Sequence, residues 1–274
     1  MIVFPNCKIN LGLHILGKRT DKYHNLETVF YPLPFYDVLE VIQISNTNQL
    51  YELFLSGNKI EGEAESNLCT KAYHLLKNDF PQLPSVKVYL HKIIPSGAGL
   101  GGASADGAYM LKLLDEKFNL KLSQERLINY ALQLGSDCPF FIINTPCFAQ
   151  QRGEVLEPIN LNLSGYKLML INPGIHINTA WAFTQVKFTN NKNINTIIST
   201  PVEKWKPDLV NDFELTVFEK FPEIADIKKH LYAAGALYAS MSGSGSTMYG
   251  IFSKNSIIDY KPFSQHYFVK EFHF

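Results

Sequence analysis

The feature that most constrains this chain is a glycine-rich segment, IPSGAGLGGASADGA, between a strand-like run and a helical pattern. Glycine occupies positions 97, 99, 101, 102 and 107, and large side chains are almost absent. A helix start carries unpaired N–H groups and a partial positive charge. Glycines before it let successive N–H groups point into one hollow that suits a phosphate. The segment therefore predicts a phosphate-binding loop, with a flexible surface loop as the alternative.

Two common nucleotide-binding classes do not fit this loop. It lacks the Gly-Lys-Ser/Thr ending of a Walker loop, and no acidic residue ends a second strand about 20 residues on, as a Rossmann unit requires. Lys plus Arg equals Asp plus Glu, at 25 each, so no global field draws the chain to nucleic acid or membrane. An anionic ligand would need a local cationic site.

The N-terminal segment PNCKINLGLHILGKRTDKYHNLETVF offers such a cation. Lys8 and Asn10 lie two residues apart on a strand-like run, so they face the same side and could hold a phosphate and a hydroxyl. Tyr23 and His24 follow a turn-like pair, and an aromatic ring beside an imidazole could stack on a planar heterocycle. A solvated strand lysine and a surface histidine are the alternatives.

A third segment, GSDCPFF, places Asp137 after a predicted helix from Ser123 to Leu134. We expect Gly135 to be a left-handed C-cap of that helix and the apolar residues after Asp137 to form a strand. A carboxylate at the mouth of a buried element can accept a proton or orient a hydroxyl. An ordinary turn aspartate is the alternative.

The remaining patterns predict a chain of mixed helix and strand, either α/β or α+β. Val86, Val88 and Leu90 alternate as in a half-buried strand, and a helix from Leu68 would be capped by Ser66 or Asn67. The polar, Asn-rich segment 189–207 is predicted to be a surface excursion.

The cysteines and the apolar runs predict where the protein lies in the cell. Four scattered cysteines without a C-x-x-C pair fit small buried side chains in a reducing cytoplasm. The apolar runs are too short for a bilayer, and the N-terminus has no secretory pattern.

Taken together, the segments resemble the motifs of the GHMP kinase superfamily. The order matches: P-x-x-K-x-N from Pro5, P-x-G-x-G-L-G-x-x-S from Pro95, and the late loop MSGSGST, which follows the sequence NDFE at a distance. The resemblance covers nearly the whole chain and implies a two-domain α+β fold. Residues 1–157 would form an ATP-binding half like ribosomal protein S5 domain 2, and residues 158–274 a ferredoxin-like half, with ATP in the cleft between them.

The activity that this resemblance implies is transfer of the γ-phosphoryl group of ATP, with Mg²⁺, to the 2-hydroxyl of CDP-methylerythritol in the non-mevalonate isoprenoid route. The enzyme would be a cytoplasmic monomer or homodimer, with no nucleic-acid or membrane partner. Lys8 and Asp137 would be catalytic, and Ser104 would reach the metal. The implied ATP-binding residues are Asn67, Pro95, Ser96, Gly97, Ala98, Gly99, Leu100, Gly101, Gly102, Ala103 and Ser104. The implied acceptor-binding residues are Asn10, Tyr23, His24, Phe183, Gly243 and Gly245.

Some positions depart from the superfamily pattern. Lys22 stands where relatives have glycine, and Asp106 stands where they often have an amide, which would add negative charge near the triphosphate. Two other functions stay open: a mevalonate or homoserine kinase, whose acceptors carry no base to stack on, and a catalytically silent member that binds a nucleotide or sugar as a regulator.

Overall fold

The computed structural model describes residues 1–21, 23–45, 49–60, 62–186, 193–261, 263 and 265–274. The strands in these ranges are β1 (Ile2–Val3), β2 (Asn6–Lys18), β3 (His24–Tyr36), β4 (Val38–Gln43), β5 (Tyr51–Gly57), β6 (Val86–Lys92), β7 (Cys147–Gln151), β8 (Val155–Pro158), β9 (Tyr166–Asn172), β10 (Tyr238–Met241), β11 (Met248–Ser253) and β12 (Phe268–His273). The helices are α1 (Leu68–Asp79), α2 (Gly102–Phe118), α3 (Gln124–Leu134), α4 (Cys138–Ile143), α5 (Thr179–Gln185), α6 (Ile194–Ile198), α7 (Phe213–Lys220) and α8 (Pro222–Ala233), with 3₁₀ turns at Ala64–Ser66 and Val202–Lys204.

The chain forms two compact units, and each is built from several stretches of sequence. The first comprises Met1–Lys8, Pro32–Ser96 and Gly101–Thr145, and the second comprises Ile9–Tyr31, Gly97–Leu100 and Pro146–Phe274. The division into residues 1–157 and 158–274 stays a prediction.

The first unit contains a four-stranded sheet in the order β1-β4-β6-β5. The alternation predicted for β6 is confirmed, because Val86, Val88 and Leu90 are buried while Tyr89 and His91 are exposed. β5 runs parallel to β6, and parallel neighbours need a long crossover, which contains α1.

Capping side chains set the helix starts of this unit. The Asn67 Oδ1 atom accepts a hydrogen bond from the Cys69 N–H at 2.8 Å, which confirms one of the two predicted caps of α1. The Ser123 hydroxyl accepts from the Arg126 N–H at 3.3 Å and caps α3. α2 begins directly at the glycine loop, and its apolar face is buried.

The segment around Asp137 differs from its prediction in two ways. The apolar residues after Asp137 form the short helix α4 rather than a strand. Pro139 lies in the first turn of α4, where its fixed φ angle and missing N–H are tolerated, and a short apolar run alone does not separate helix from strand. Gly135 ends α3 with φ 166°, which is extended backbone rather than a left-handed cap.

Two further four-stranded sheets lie mostly in the second unit, while residues 6–8 of β2 and 32–36 of β3 belong to the first. One has the order β2-β3-β7-β8, and the other has the order β10-β11-β9-β12 with every neighbouring pair antiparallel. Apolar residues of β9, β10 and β11 share a core with Phe213, Val217, Ile224 and Leu231 of α7 and α8. Mixed helices and largely antiparallel sheets confirm the α+β class.

The predicted surface excursion is wrong for its described part. Residues 189–192 lie outside the described residues, but α6 and the turn after it bury Ile194, Ile197 and Val202. Trp205 is 1% exposed, and its Nε1–H donates to the Thr200 carbonyl oxygen at 2.8 Å. The isoleucines recur at helical spacing within an otherwise polar stretch, and that spacing was the signal to follow.

All four cysteines are buried and none forms a disulfide, as predicted. Across the described ranges, the helices are too short or too polar to cross a bilayer.

Gly107 provides a test of the helix packing in the first unit. A Cβ at this position would lie 2.8 Å from the Leu68 Cβ and 3.3 Å from the Leu134 Cδ1. We expect Gly107→Ala to lower the free energy of unfolding by about 1–3 kcal/mol, because overpacking outweighs the gain of roughly 1 kcal/mol in helix propensity. Urea denaturation measures the change.

The exposed Asn129 of α3 is the control position for this substitution. Asn129→Ala should stay within about 0.5 kcal/mol of the wild type. A Gly107→Ala protein that equals the wild type in stability would show that α1 and α3 are free to move away from α2.

Candidate functional site

A lysine–aspartate pair lies in the first unit. Lys8 extends from β2 and is 3% exposed, and its Nζ atom lies 3.4 Å from Asp137 Oδ2. The Asp137 side chain is 36% exposed, so one end of the pair is accessible to a ligand. A buried ammonium is costly without a partner, and Asp137 provides the opposite charge.

The start of α2 lies directly against this lysine. Gly101 is the residue before the helix and has φ +70°. A Cβ there would lie 2.9 Å from Phe141 Cζ and 3.1 Å from Lys8 Cε, so a larger residue would displace the lysine. The structure thus brings together three groups that the sequence predicted to cooperate: the ammonium, the carboxylate and the helix N-terminus.

Ser104 lies in the first turn of α2, near the same carboxylate. Its hydroxyl hydrogen-bonds with the thiol of Cys138, the neighbour of Asp137. Burial raises the pKa of the Cys138 thiol to about 12, with Ser104 opposing that change. Cys138 is therefore a neutral packing residue, and Ser104 places a hydroxyl in the first turn of α2.

A pocket of about 160 Å³ adjoins the loop within the first unit. Three of the residues implied to bind ATP line it together: Asn67, Ser96 and Ala103. The buried pair Lys92 and Asp106 forms part of the same wall. The pocket therefore presents polar groups on one side of the phosphate-binding segment.

Two carboxylates share one ammonium at this wall. Lys92 Nζ lies 2.6 Å from Asp106 Oδ2 and also bonds to Asp37 Oδ2. Asp37 in turn accepts the main-chain N–H groups of Ile93 at 2.5 Å and Ile94 at 2.9 Å, immediately before the loop. The triad holds the entry to the glycine loop in place.

Asp106 differs from the expectation of a charge facing the triphosphate. It is 3% exposed and paired with Lys92. Burial raises its pKa to about 7; the Lys92 charge opposes this and the Asp37 charge adds to it. Near neutral pH the extra negative charge is therefore partly neutralised by a proton.

The central part of the loop, Gly97–Leu100, belongs to the second unit. The side chains of Ala98 and Leu100 are buried and anchor it. Gly99 has φ +77°, and a Cβ there would overlap the Ser242 carbonyl oxygen. The Ser242 hydroxyl donates to the Gly99 carbonyl oxygen at 2.8 Å. The late loop thus fixes the backbone of the glycine loop.

Asn10 also contacts Ser242. Its main-chain N–H donates to the Ser242 Oγ at 3.2 Å, and its side-chain amide donates to the Thr28 Oγ1 at 3.0 Å. A Cβ on Gly243 would lie 3.3 Å from Gly99 Cα and 3.5 Å from Asn10 Oδ1. Gly245 has φ +95° on the other side of the late loop.

An aromatic stack lies elsewhere in the second unit. The rings of His24 and Phe183 are parallel, with centroids 4.8 Å apart. Phe213 meets the Phe183 ring edge-on at 4.9 Å. Burial lowers the pKa of His24, and the Lys18 charge adds to that effect, so the imidazole is neutral at pH 7. A neutral ring can both donate and accept a hydrogen bond.

The neighbours of Tyr23 differ from those of the stacked rings of His24 and Phe183. Its exposed ring lies 5.0 Å from the Arg152 guanidinium carbon. The Asp21 carboxylate accepts its main-chain N–H at 3.1 Å and pairs with Arg19. Lys22 lies outside the described residues.

Several residues at these sites were missed from sequence. Lys92 gave a faint signal, because it lies within a few residues of the glycines, and Asp106 was noted from sequence but its partner Lys92 was not. Ser242 lay inside a noted loop without a predicted partner. Phe213 lay inside the quoted sequence NDFE without a predicted partner, and Arg152 gave no signal that a single sequence could reveal.

Comparison with known proteins agrees with these features. The family model described as GHMP kinases N terminal domain matches residues 67–145, and the model described as GHMP kinases C terminal matches residues 203–259. A Bacteroides fragilis protein named 4-diphosphocytidyl-2-C-methyl-D-erythritol kinase is 54% identical over 254 residues, which cover 92% of each chain. A protein of the same name from Azobacteroides pseudotrichonymphae is 48% identical and covers 98% of this chain and 100% of its own.

A solved structure is similar over nearly the same length. The crystal structure of a 4-(cytidine 5'-diphospho)-2C-methyl-D-erythritol kinase aligns with a TM-score of 0.78 and 30% identity, covering 91% of this chain and 89% of the other.

The triad gives a pH-dependent stability prediction. Between about pH 4 and pH 7 the folded protein keeps the Asp106 proton that the unfolded chain has released, so this group makes stability fall as pH rises. Asp106→Asn removes that loss. We expect the free energy of unfolding of the variant, relative to the wild type, to increase across this range and level off above pH 7, as measured by urea denaturation at a series of pH values.

Asp226→Asn is the control for that series. Asp226 is an exposed carboxylate, and a hydrogen bond from Lys229 lowers its pKa. The control should therefore show no such gain. If the free energies of unfolding of the wild type and Asp106→Asn change in parallel with pH, Asp106 is ionised in the folded protein across this range.

Proposed function

Because this chain belongs to the 4-diphosphocytidyl-2-C-methyl-D-erythritol kinases, within the GHMP kinases, we propose that it transfers the γ-phosphoryl group of ATP to the 2-hydroxyl of 4-diphosphocytidyl-2-C-methyl-D-erythritol. The observation that supports this most is the Lys8–Asp137 pair, 3.4 Å apart, packed against Gly101 at the start of α2. A cation, a carboxylate and a helix N-terminus are the groups that phosphoryl transfer needs. The product would serve the non-mevalonate isoprenoid route.

We assign the triphosphate to the main chain of the glycine loop. Gly97, Gly99 and Gly101 all have positive φ angles, and alternation of such residues with right-handed ones makes an anion-binding concavity. The side chains of Ala98 and Leu100 point into the protein, which leaves amides on the ligand side. The adenine end would lie toward Asn67 in the adjoining pocket.

The chemical step is a direct displacement. The acceptor oxygen attacks the γ-phosphorus while the bond to the β–γ bridging oxygen breaks, and ADP leaves with the electron pair. The hydroxyl proton passes to the Asp137 carboxylate. Lys8 holds that carboxylate in place and offsets negative charge on the transferring group.

Magnesium fits this site only together with phosphate oxygens. In the described part of the chain, no cluster of three or more His, Cys, Asp or Glu side chains could hold a metal ion. Mg²⁺ would neutralise phosphate charge when bound, and Ser104 is the hydroxyl that we assign to it.

The cytidine base would bind at the aromatic residues of the second unit. We assign the base to the paired rings of His24 and Phe183, where the neutral imidazole can hydrogen-bond the cytosine edge. Tyr23 is exposed and available as a second stacking surface. Asn10 would orient the acceptor, while Gly243 and Gly245 would let the late loop approach it. We further propose a cytoplasmic monomer or homodimer.

The product of the reaction tests this function. Incubation with ATP, MgCl₂ and 4-diphosphocytidyl-2-C-methyl-D-erythritol should give ADP and a new phosphomonoester resonance in the phosphorus NMR spectrum. Mevalonate and homoserine, tested as acceptors in parallel, should give no product. ADP formation with either of these would instead favour another kinase of the superfamily, and ATP binding without turnover on any acceptor would favour a silent regulator.

The catalytic pair is tested by Asp137→Asn in the same assay. Loss of a general base costs roughly 10²–10⁴-fold in rate, so we expect kcat to fall by that amount while acceptor affinity stays within a few fold. Asp226→Asn, at a carboxylate that also pairs with a lysine, should keep full activity. Normal turnover by Asp137→Asn would remove the base assignment.

The stacking surface is tested by Phe183→Leu, which keeps apolar volume but removes the aromatic face. Stacking on a base contributes about 1–3 kcal/mol, so KM for the cytidylyl substrate should rise roughly tenfold with kcat little changed. Phe218→Leu is the matched control, because Phe218 packs on the same core. A fall in kcat alone would contradict a binding role for Phe183.

A further inference from the structure

The sequence NDFE, Asn211–Glu214, has no role in the function proposed so far, yet the side chains of Asn211 and Glu214 contact the late loop. Asn211 is 2% exposed. Its Nδ2 group donates to the Met241 carbonyl oxygen at 2.7 Å and to the Gly243 carbonyl oxygen at 2.8 Å. Its Oδ1 atom accepts from the Phe213 N–H at 3.0 Å. Both amide hydrogens and the amide oxygen are thus engaged, and an aspartate could not supply the two donors.

The two carbonyl groups that Asn211 holds lie on either side of Ser242. The Ser242 hydroxyl donates to the Gly99 carbonyl oxygen and accepts from the Asn10 N–H. The amide of Asn211 therefore sets the position of a hydroxyl that links the glycine loop to β2. This chain of contacts runs entirely through the second unit.

The other residues of the sequence contact the late loop, β2 and the aromatic stack. Glu214 accepts from the Met241 N–H at 2.8 Å and from the Ser240 hydroxyl at 3.1 Å. Asp212 accepts from the Ile15 N–H of β2 at 2.7 Å. Phe213 packs edge-on against Phe183. Asn211 alone contacts the carbonyl groups around Ser242, so it is the residue to test.

We propose that Asn211 is a positioning residue for nucleotide binding: it holds the Met241 and Gly243 carbonyl groups, fixes the Ser242 hydroxyl against Gly99, and so keeps the glycine loop in its phosphate-binding conformation. This inference rests on the proposed use of ATP. It predicts that loss of the Asn211 amide weakens binding of ATP more than binding of the cytidine base.

Asn211→Asp is the informative substitution because it preserves shape and removes both donors. We expect affinity for a non-hydrolysable ATP analogue, measured by calorimetry, to fall at least tenfold, while affinity for CDP stays within threefold. A protonated carboxyl regains one donor, so kcat/KM for ATP of this variant should recover, relative to the wild type, as pH falls from 8 to 5. A purely structural role would not produce this recovery.

Trp205→Phe is the control for general destabilisation. It removes another buried donor to a main-chain carbonyl oxygen, that of Thr200. It should lower stability but leave analogue affinity within threefold. If Asn211→Asp does not fold, Ser242→Ala removes the hydroxyl itself and should show the same nucleotide-selective loss.

Three results would overturn the inference: unchanged analogue affinity in folded Asn211→Asp or Ser242→Ala, equal losses for the analogue and CDP, or a pH profile parallel to that of the wild type. Analogue binding needs no acceptor. A wild-type protein that binds the analogue but yields no phosphorylated product would therefore count against the proposed function and not against the role of Asn211.

Discussion

The close passage of Lys8 over Gly101 is the contact on which the first unit's site depends. A side chain at residue 101 would meet the lysine stem and the Phe141 ring, so glycine there permits both the helix start and the ammonium position. Asp137 then completes the arrangement from the residue before α4. The geometry of the Lys8–Asp137 pair follows from packing at one missing Cβ as much as from the charges themselves.

The entry and the centre of the glycine loop are held by different kinds of interaction. Its entry is tied by charge, through Asp37, Lys92 and Asp106, all buried. Its centre is tied by neutral hydrogen bonds, through Ser242 and Gly99. Buried ion pairs hold a fixed geometry but cost free energy, because the charged groups lose their hydration. Neutral hydrogen bonds to main-chain groups hold the backbone without adding charge to the loop.

Prediction from sequence succeeded where local chemistry decides the outcome. The Asn67 cap of α1 and the alternation of β6 were predicted from local patterns and are confirmed. The catalytic roles of Lys8 and Asp137 came from the resemblance to the GHMP kinases and stay predictions. The choice of α+β came from the same resemblance, because periodicity alone left α/β open. The helix after Asp137 was missed because six apolar residues fit either element. The burial of Trp205 was missed because polar neighbours obscured the isoleucine spacing. The pairing of Lys92 with Asp106 depends on tertiary packing, which no single-sequence pattern encodes.

The division of β2 between the two units has a consequence for how such a protein can change. Residues up to Lys8 belong to one unit and residues from Ile9 to the other, and the chain passes between the units again after residues 31, 96, 100 and 145. No single break in the gene would release either unit whole. A gene fusion that joins one complete unit to the end of another could therefore not produce this chain order, and the two units are inherited together.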